Sequence, residues 1–316
     1  MSIYVSGSVV FDRIMNFNGY FKDHILTDRL HSLSVSFMVE DMVVRRGGCA
    51  GNIAYTLALM GEKPLILSSV GTDFGHEYGE ALKKLGLSLD GIQVDENKHT
   101  ALCYITTDKA NNQITGFYAG AMMTPSAYSF PGISEKDIAI VSPGNMEDMQ
   151  HFPDVYRARK VPYIFDPGQQ MPLYTKETLT SAVHGAMALV CNDYELGLIC
   201  KLLDLKKEED LFEHVQWIVC TLASEGCRIH GADGTEAKVP ALPCPCVKDP
   251  TGAGDAQRAG LLFGLTHGLS MPEAAKYGSI TASYAIEQQG TQIHSFTFED
   301  FSRRYETLFG PMPVSF

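Results

Sequence analysis

The sequence predicts an α/β fold in which a central, mostly parallel sheet is flanked by helices and a small β-layer stands apart. Three observations carry this. From about Asp137 onward, short apolar runs alternate with amphipathic stretches. Two earlier regions, residues 12–45 and 101–118, break that rhythm and hold β-prone pieces. The chain has 316 residues, 45% of them hydrophobic, enough for a large core.

Residues 1–5 read as a first strand, because they carry neither a basic segment nor the long apolar stretch of a signal peptide. Residues 12–45 are short polar and apolar pieces without a helix period. Ala101–Thr107 and Gln113–Tyr118 flank the turn Asp108-Lys109-Ala110-Asn111-Asn112, a hairpin signal. Residues 138–142 form a buried strand, followed by a helix over 148–159. Strands over 161–165, 187–191 and 217–221 follow, with helices over 176–184 and from Tyr194 between them. Such alternation implies parallel pairing through right-handed crossovers. Ser270, Pro272 and Glu273 predict a helix from Met271 that opens on a capping box. In it Thr281, Ala282, Ser283 and Ala285 keep one face small, as close helix packing requires. Residues 311–316 are expected to form a loosely held tail.

The formal net charge is -12. A chain this acidic has no general electrostatic reason to bind nucleic acid or an anionic membrane, and no apolar run approaches a membrane span. The reading is therefore a soluble, cytoplasmic protein. A phosphate-bearing ligand would need local backbone amides, a metal ion and a few basic side chains. The 8 cysteines sit mostly in apolar runs, as small core residues of a reducing compartment do. Cys244-Pro245-Cys246 has the wrong spacing for a zinc or redox pair.

The most informative segment is Asp249-Pro250-Thr251-Gly252-Ala253-Gly254-Asp255-Ala256-Gln257-Arg258. It opens a helix. Small residues at 252–254 leave their N–H groups unshielded where the helix dipole favours an anion. Asp255 projects from the first turn toward the same place. Amides that neutralise a moving phosphate, beside a carboxylate that takes a proton from a hydroxyl, are the parts of phosphoryl transfer. An acidic cap on a glycine turn explains the shorter Gly-x-Gly-Asp equally well.

This string resembles the C-terminal signature of the ribokinase-like (PfkB-type) sugar and nucleoside kinases. Arg46-Gly47-Gly48-Cys49-Ala50-Gly51-Asn52 resembles that family's N-terminal glycine signature, Gly71-Thr72-Asp73-Phe74-Gly75 the segment after it, and Asn192-Asp193-Tyr194-Glu195 its Asn-x-x-Glu motif. Four motifs in order span nearly the whole chain. The resemblance implies a ribokinase-like core of residues 1–11, 46–98 and 121–310, with a β-lid of residues 12–45 and 99–120.

It also implies roles. Asp255 is the base, and Gly252, Ala253 and Gly254 form the anion hole. Asp12, Gly47, Gly48 and Asn52 bind the acceptor. Asn192, Glu195, Thr221, Gly226 and Thr251 serve the nucleotide, Glu195 reaching Mg²⁺ through water. ATP with Mg²⁺ is expected, and a monovalent cation, K⁺, fits beside the anion hole. The lid also offers a surface for a homodimer. Each residue has a plainer reading: Asp12 a strand end, Gly47 and Gly48 turn glycines, Asn52 a first-turn polar residue, Asn192 a helix N-cap.

The sequence departs from the family pattern at three positions. Gln257 stands where an aromatic residue is usual, so it either loosens the packing behind the anion hole or contacts a ligand. Ala223 replaces the first glycine of a Thr-x-Gly-x-x-Gly nucleotide loop. Glu225 replaces a basic residue there, which weakens ATP binding unless its carboxylate turns to solvent. Asn111-Asn112-Gln113-Ile114-Thr115, Gly120-Ala121-Met122-Met123 and Phe165-Asp166-Pro167-Gly168-Gln169 resemble adenosine kinase-like members. The acceptor implied is a nucleoside, adenosine first, phosphorylated on its 5′-hydroxyl. A ribose- or fructose-like sugar, and a nucleoside-binding protein with weak turnover, are the alternatives. Phe11, Phe37, Phe117 and Tyr118 are candidates to stack on a base or to fill the lid core. No Gly-x-Gly-x-x-Gly follows the first strand, which disfavours a dinucleotide enzyme.

Overall fold

The computed structural model describes residues 1–25, 27–110, 112–244 and 246–316. Asn111 of the hairpin turn and Pro245 between the paired cysteines lie outside the described residues. The strands are β1 (Ile3–Ser6), β2 (Val10–Phe17), β3 (Val39–Gly47), β4 (Leu65–Gly71), β5 (Ile92–Asp95), β6 (Ala101–Thr107), β7 (Gln113–Tyr118), β8 (Ile138–Val141), β9 (Tyr163–Phe165), β10 (Ala188–Asn192), β11 (Trp217–Thr221), β12 (Cys227–Gly231) and β13 (Glu236–Val239). The helices are α1 (Cys49–Leu59), α2 (Glu80–Lys84), α3 (Met146–Ala158), α4 (Lys176–Val183), α5 (Asp193–Leu202), α6 (Ala253–Thr266), α7 (Met271–Ile286) and α8 (Phe298–Phe309).

Nine strands form one sheet in the order β13-β12-β11-β10-β9-β8-β1-β4-β5. Pairing is parallel from β11 to β5 and antiparallel only where β12 and β13 close one edge. Its inner strands, such as β8 and β9, are apolar because both faces are covered, whereas the edge strands β5 and β13 carry charged residues. Successive residues feed opposite layers. Ile138, Ile140, Ile164 and Val190 pack with α1, α6, α7 and α8. Ala139, Val141, Phe165, Leu189 and Cys191 pack with α3, α4 and α5. Fully burying one such aliphatic side chain contributes roughly 1.5–3 kcal/mol.

The two regions that broke the rhythm meet in a separate four-stranded sheet, β3-β2-β6-β7. β2 runs parallel to β6 and antiparallel to β3, and β6 and β7 form the expected hairpin. This small sheet grows out of the core sheet at Val10, just after β1.

Two expectations need correction. Ser270 caps α7 by position only, since its side chain makes no cap hydrogen bond. Glu273 pairs instead with Lys276 one turn on, so the reciprocal half of the box is spent elsewhere. The last residues are also pinned rather than loose. Val314 donates to and accepts from the Tyr277 hydroxyl at 2.9 and 2.7 Å, and the Phe316 ring packs on Phe263, Phe296 and Phe301. Among the described residues no helix is long and apolar enough to cross a membrane.

Candidate active site

Helix α6 begins at Gly252, which caps it with φ 79°. Only glycine adopts this left-handed turn without strain, and a Cβ there would lie 2.8 Å from Thr291 Cγ2. The Ala253 amide is used by the Pro250 carbonyl at 3.2 Å. A first-turn amide such as that of Gly254 has no acceptor within its own helix. The three residues 252–254 therefore do not offer equivalent amides, because that of Ala253 is already engaged.

Asp255, in this first turn, is half-buried at the centre of a polar network. Its Oδ2 accepts a 2.8 Å hydrogen bond from Asn52 Nδ2 on α1. Burial raises its pKa to about 6, while the Asn52 bond and Arg258 pull it back toward the ionised form. A carboxyl held there is mostly ionised at neutral pH and still basic enough to accept a proton. Cys49, at the start of α1, also faces this carboxyl, and burial followed by the Asp255 charge pushes its thiol up.

Arg258, one turn along α6, was not singled out from the sequence. Its Nε donates to Asp166 Oδ2 at 2.9 Å in a pair whose side chains are 7% and 5% exposed. The guanidinium is held charged by Asp166, Asp255 and Glu195 against its burial. Buried charge on this scale is costly unless paired, so the cluster is a committed feature of the site. Asp166 Oδ1 is buried without a partner. The signal was present in the sequence: Arg258 lies within the phosphate-site string and Asp166 within Phe165-Asp166-Pro167.

Asn192 and Glu195 form a reciprocal capping box at the start of α5. Asn192 Oδ1 accepts from the Glu195 amide at 2.7 Å, and Glu195 Oε2 accepts from the Asn192 amide at 2.9 Å. Burial raises the Glu195 pKa, and its coupling to Asp166 and Arg258 places it at the edge of the same charged cluster.

Two cavities flank the start of α6. On one side, a cavity of about 400 Å³ is lined by Thr221, Gly226, Leu242, Val247, Gly254 and Ile286. Its mostly apolar walls suit a flat heterocycle. Helix α7 divides its small residues between two tasks. Ser279, Ala282 and Ser283 line this cavity, whereas Thr281 Oγ1 donates to the Ala256 carbonyl of α6 at 2.7 Å. Gln257 lies under the cavity, 6% exposed, and neither amide atom has a partner. It lines this cavity and not the one on the other side of α6. Glu225 is exposed and pairs with Lys238 Nζ at 2.9 Å, turned away from the cavity. Ala223 adopts φ 49°, the conformation that a glycine would take freely.

On the other side, a cavity of about 600 Å³ lies between the small sheet and the segments carrying Asp249, Thr251, Gly290 and Thr291. Thr251, expected with the nucleotide residues, faces this cavity. Asp12 is here too, on β2 rather than at the end of β1. Burial, then the Asp249 charge, raises its pKa to about 6. Gly47 lets that carboxylate approach: a Cβ there would lie 2.5 Å from Asp12 Oδ2. Gly48 caps α1, and neither it nor Gly47 lines the cavity itself.

Strand register sets this face of the small sheet in rows, whose members all line the cavity except Cys103 and Val43. Arg45, Asp12 and Cys103 are paired nearest the core. Val43, Ile14 and Ile105 form the next inward row, and Asp41, Asn16, Thr107 and Gln113 the third. The sequence had Asp12 but missed this polar far row, because its members come from four strands.

The pfkB family carbohydrate kinase model matches residues 7–297. Among solved structures, the chain is similar to Burkholderia thailandensis nucleoside kinase in complex with inosine, with a TM-score of 0.86 at 35% identity, covering 99% of this chain and 100% of that one. The same enzyme in complex with ADP-inosine superposes with a TM-score of 0.84 at 36% identity over 100% of this chain and 98% of that one. A curated nucleoside kinase of Methanocaldococcus jannaschii is 31% identical over 261 residues, which are 82% of this chain and 85% of that protein.

Proposed function

This chain belongs to the pfkB family of carbohydrate kinases, and on that premise we propose that it phosphorylates the 5′-hydroxyl of a purine nucleoside, adenosine first, at the expense of ATP. The observation that carries the acceptor class is the row order in the 600 Å³ cavity. Asp12 and Arg45 suit sugar hydroxyls, Ile14 and Ile105 an apolar ring, and Asp41, Asn16, Thr107 and Gln113 a hydrogen-bonding edge beyond it. Asn16 is four residues from Asp12 along β2, roughly 13 Å at strand rise. A free pentose bound at Asp12 leaves the far row unused, whereas a nucleoside spans all three. Relatives named as nucleoside kinases, and the complexes with inosine and ADP-inosine, support the same class.

In this reading the nucleotide lies in the 400 Å³ cavity with its phosphates at the start of α6. Asp255 takes the proton from the acceptor hydroxyl as that oxygen attacks the γ-phosphorus in line, and ADP leaves. The Gly252 and Gly254 amides stabilise the charge on the moving phosphoryl group. Mg²⁺ carried with ATP supplies counter-charge to the phosphates. Glu195 and Asp166 are the carboxylates suited to hold it through water, and the unpartnered Asp166 Oδ1 is the atom such a shell would satisfy. Among the described residues no three acidic, histidine or cysteine side chains converge to grip a metal directly. Higher turnover in K⁺ than in Na⁺ is the expected sign of a monovalent ion beside the anion hole. Eight free cysteines fit a reducing cytoplasm.

The test is ADP formation from Mg-ATP with adenosine, inosine, guanosine, cytidine, ribose and fructose, with Asp255→Asn as control. Turnover on purine nucleosides, lost in the control, is expected. Turnover on a free sugar alone overturns the acceptor class, and adenosine left untouched beside active inosine overturns the ranking.

The outer face of the small sheet supports a homodimer. Met42, Val44, Tyr104, Ile114 and Tyr118 stand exposed on it, an apolar patch of the kind that a second copy covers. Light scattering on wild type and Val44→Lys is expected to give a dimer and a monomer; a monomeric wild type refutes the pairing.

A further inference from the structure

Helix α1, the segment before α2 and the loop after α7 meet behind Asp255, far from one another in sequence. Gln292 joins them. Its Nε2 donates to Asn52 Oδ1 at 3.0 Å and to the Tyr78 hydroxyl oxygen at 2.5 Å. The Tyr78 hydroxyl in turn donates to the Gly47 carbonyl at 2.7 Å. Gln292, Asn52 and Tyr78 are 3%, 8% and 0% exposed, so water does not replace these bonds.

The loop is fixed on both sides of Gln292. Thr291 Oγ1 donates to the Arg46 carbonyl at 2.6 Å, and the Gly290 amide donates to Asp249 Oδ2 at 2.9 Å. Beyond it, the His294 carbonyl accepts from Tyr55 at 2.6 Å. Gln292 itself has φ 56°, a left-handed conformation that non-glycine residues take only when their surroundings impose it.

An asparagine amide has an oxygen end and a nitrogen end, and only the nitrogen end helps a carboxylate. Gln292 supplies the donor that holds the Asn52 oxygen, which leaves Asn52 Nδ2 on Asp255 Oδ2 at 2.8 Å. We propose that Gln292 is a positioning residue for the catalytic base, acting through Asn52 to hold the Asp255 carboxylate in its ionised, aimed form. The other groups facing Asp255 are Arg258 on its own helix, Asp166 after β9 and Cys49 on α1. None of them touches Gln292 among the contacts of the described residues, so its influence on Asp255 runs through Asn52.

The inference rests on Asp255 being the base of the proposed reaction, and its test has one arm that needs no substrate. The titration of Asp255 is followed in the free protein by carbon NMR of labelled aspartate, assigned with Asp255→Asn. Gln292→Met keeps volume and removes both hydrogen bonds. It is expected to move the Asp255 titration, and the acid limb of kcat, upward by about half a pH unit or more. It is also expected to lower kcat about tenfold while acceptor KM stays within about threefold. In an Asn52→Ala background the same substitution is expected to move the titration no further. An equal shift in both backgrounds, or a limb that stays in place, overturns the proposal. If Gln292→Met does not fold, Tyr78→Phe removes one of the two acceptors of Gln292 and is expected to shift the titration in the same direction; no shift there also overturns it. Absence of turnover on every acceptor defeats the proposed reaction alone, because the NMR arm still decides the coupling of Gln292 to Asp255.

Discussion

Asp255→Asn is expected to abolish turnover and, at neutral pH, to stabilise the protein. The carboxyl is half-buried and held at about 6 against an ordinary aspartate value of 3.8. The folded state therefore binds a proton more tightly than the unfolded chain does, and ionising Asp255 costs stability as pH rises from about 4 through about 6. Each pH unit of that gap is about 1.4 kcal/mol, so the ionised carboxylate costs roughly 3 kcal/mol above pH 6. Asparagine keeps the shape and accepts the Asn52 bond without the charge. Thermal denaturation of wild type and Asp255→Asn, from pH 4 to pH 8 at fixed ionic strength, reads the difference. The expected gain is about 4–6 °C at pH 8 and shrinks to nothing near pH 4. A variant no more stable than wild type at pH 8, or a gain that persists unchanged at pH 4, refutes the assignment of the shift to burial of this carboxyl. The loss of turnover, on the order of a thousandfold or more, measures its separate role as base.

Three further outcomes follow from the same geometry. Because Asp255 must be ionised to accept a proton, kcat is expected to fall tenfold per pH unit below about 6, and Asp12→Asn is expected to leave that limb in place while raising acceptor KM. Ala223→Gly relieves the left-handed strain at φ 49° and is expected to raise stability by about 1 kcal/mol, read by denaturant midpoint. Arg258→Met leaves Asp166 buried and unpaired and is expected to destabilise the fold by about 3 kcal/mol in the same measurement, with Asp166→Asn in that background restoring part of the loss.

The sequence alone determined what is local or periodic. Apolar runs at 138–142, 187–191 and 217–221 are strands because a strand buried on both faces must be apolar at every position. The hairpin of β6 and β7 was legible from a polar turn between β-prone runs. The start of α6 was legible because its chemistry is contiguous: the glycines, the carboxylate and the helix start lie within one string.

Tertiary structure decided what depends on distant segments meeting. Asn52, Asp255 and Gln292 come together across more than two hundred residues, and no local pattern announces a bond between two amides. The far row of the small sheet exists only through register, which places Asp41, Asn16, Thr107 and Gln113 side by side. Glu225 read as a threat to ATP binding until Lys238 drew it to solvent. Asn192 caps α5 beside the charged cluster, a position that only the packed fold reveals. A local motif fixes which atoms are offered; only the packed fold fixes which groups face them, because burial and charge act through space rather than along the chain.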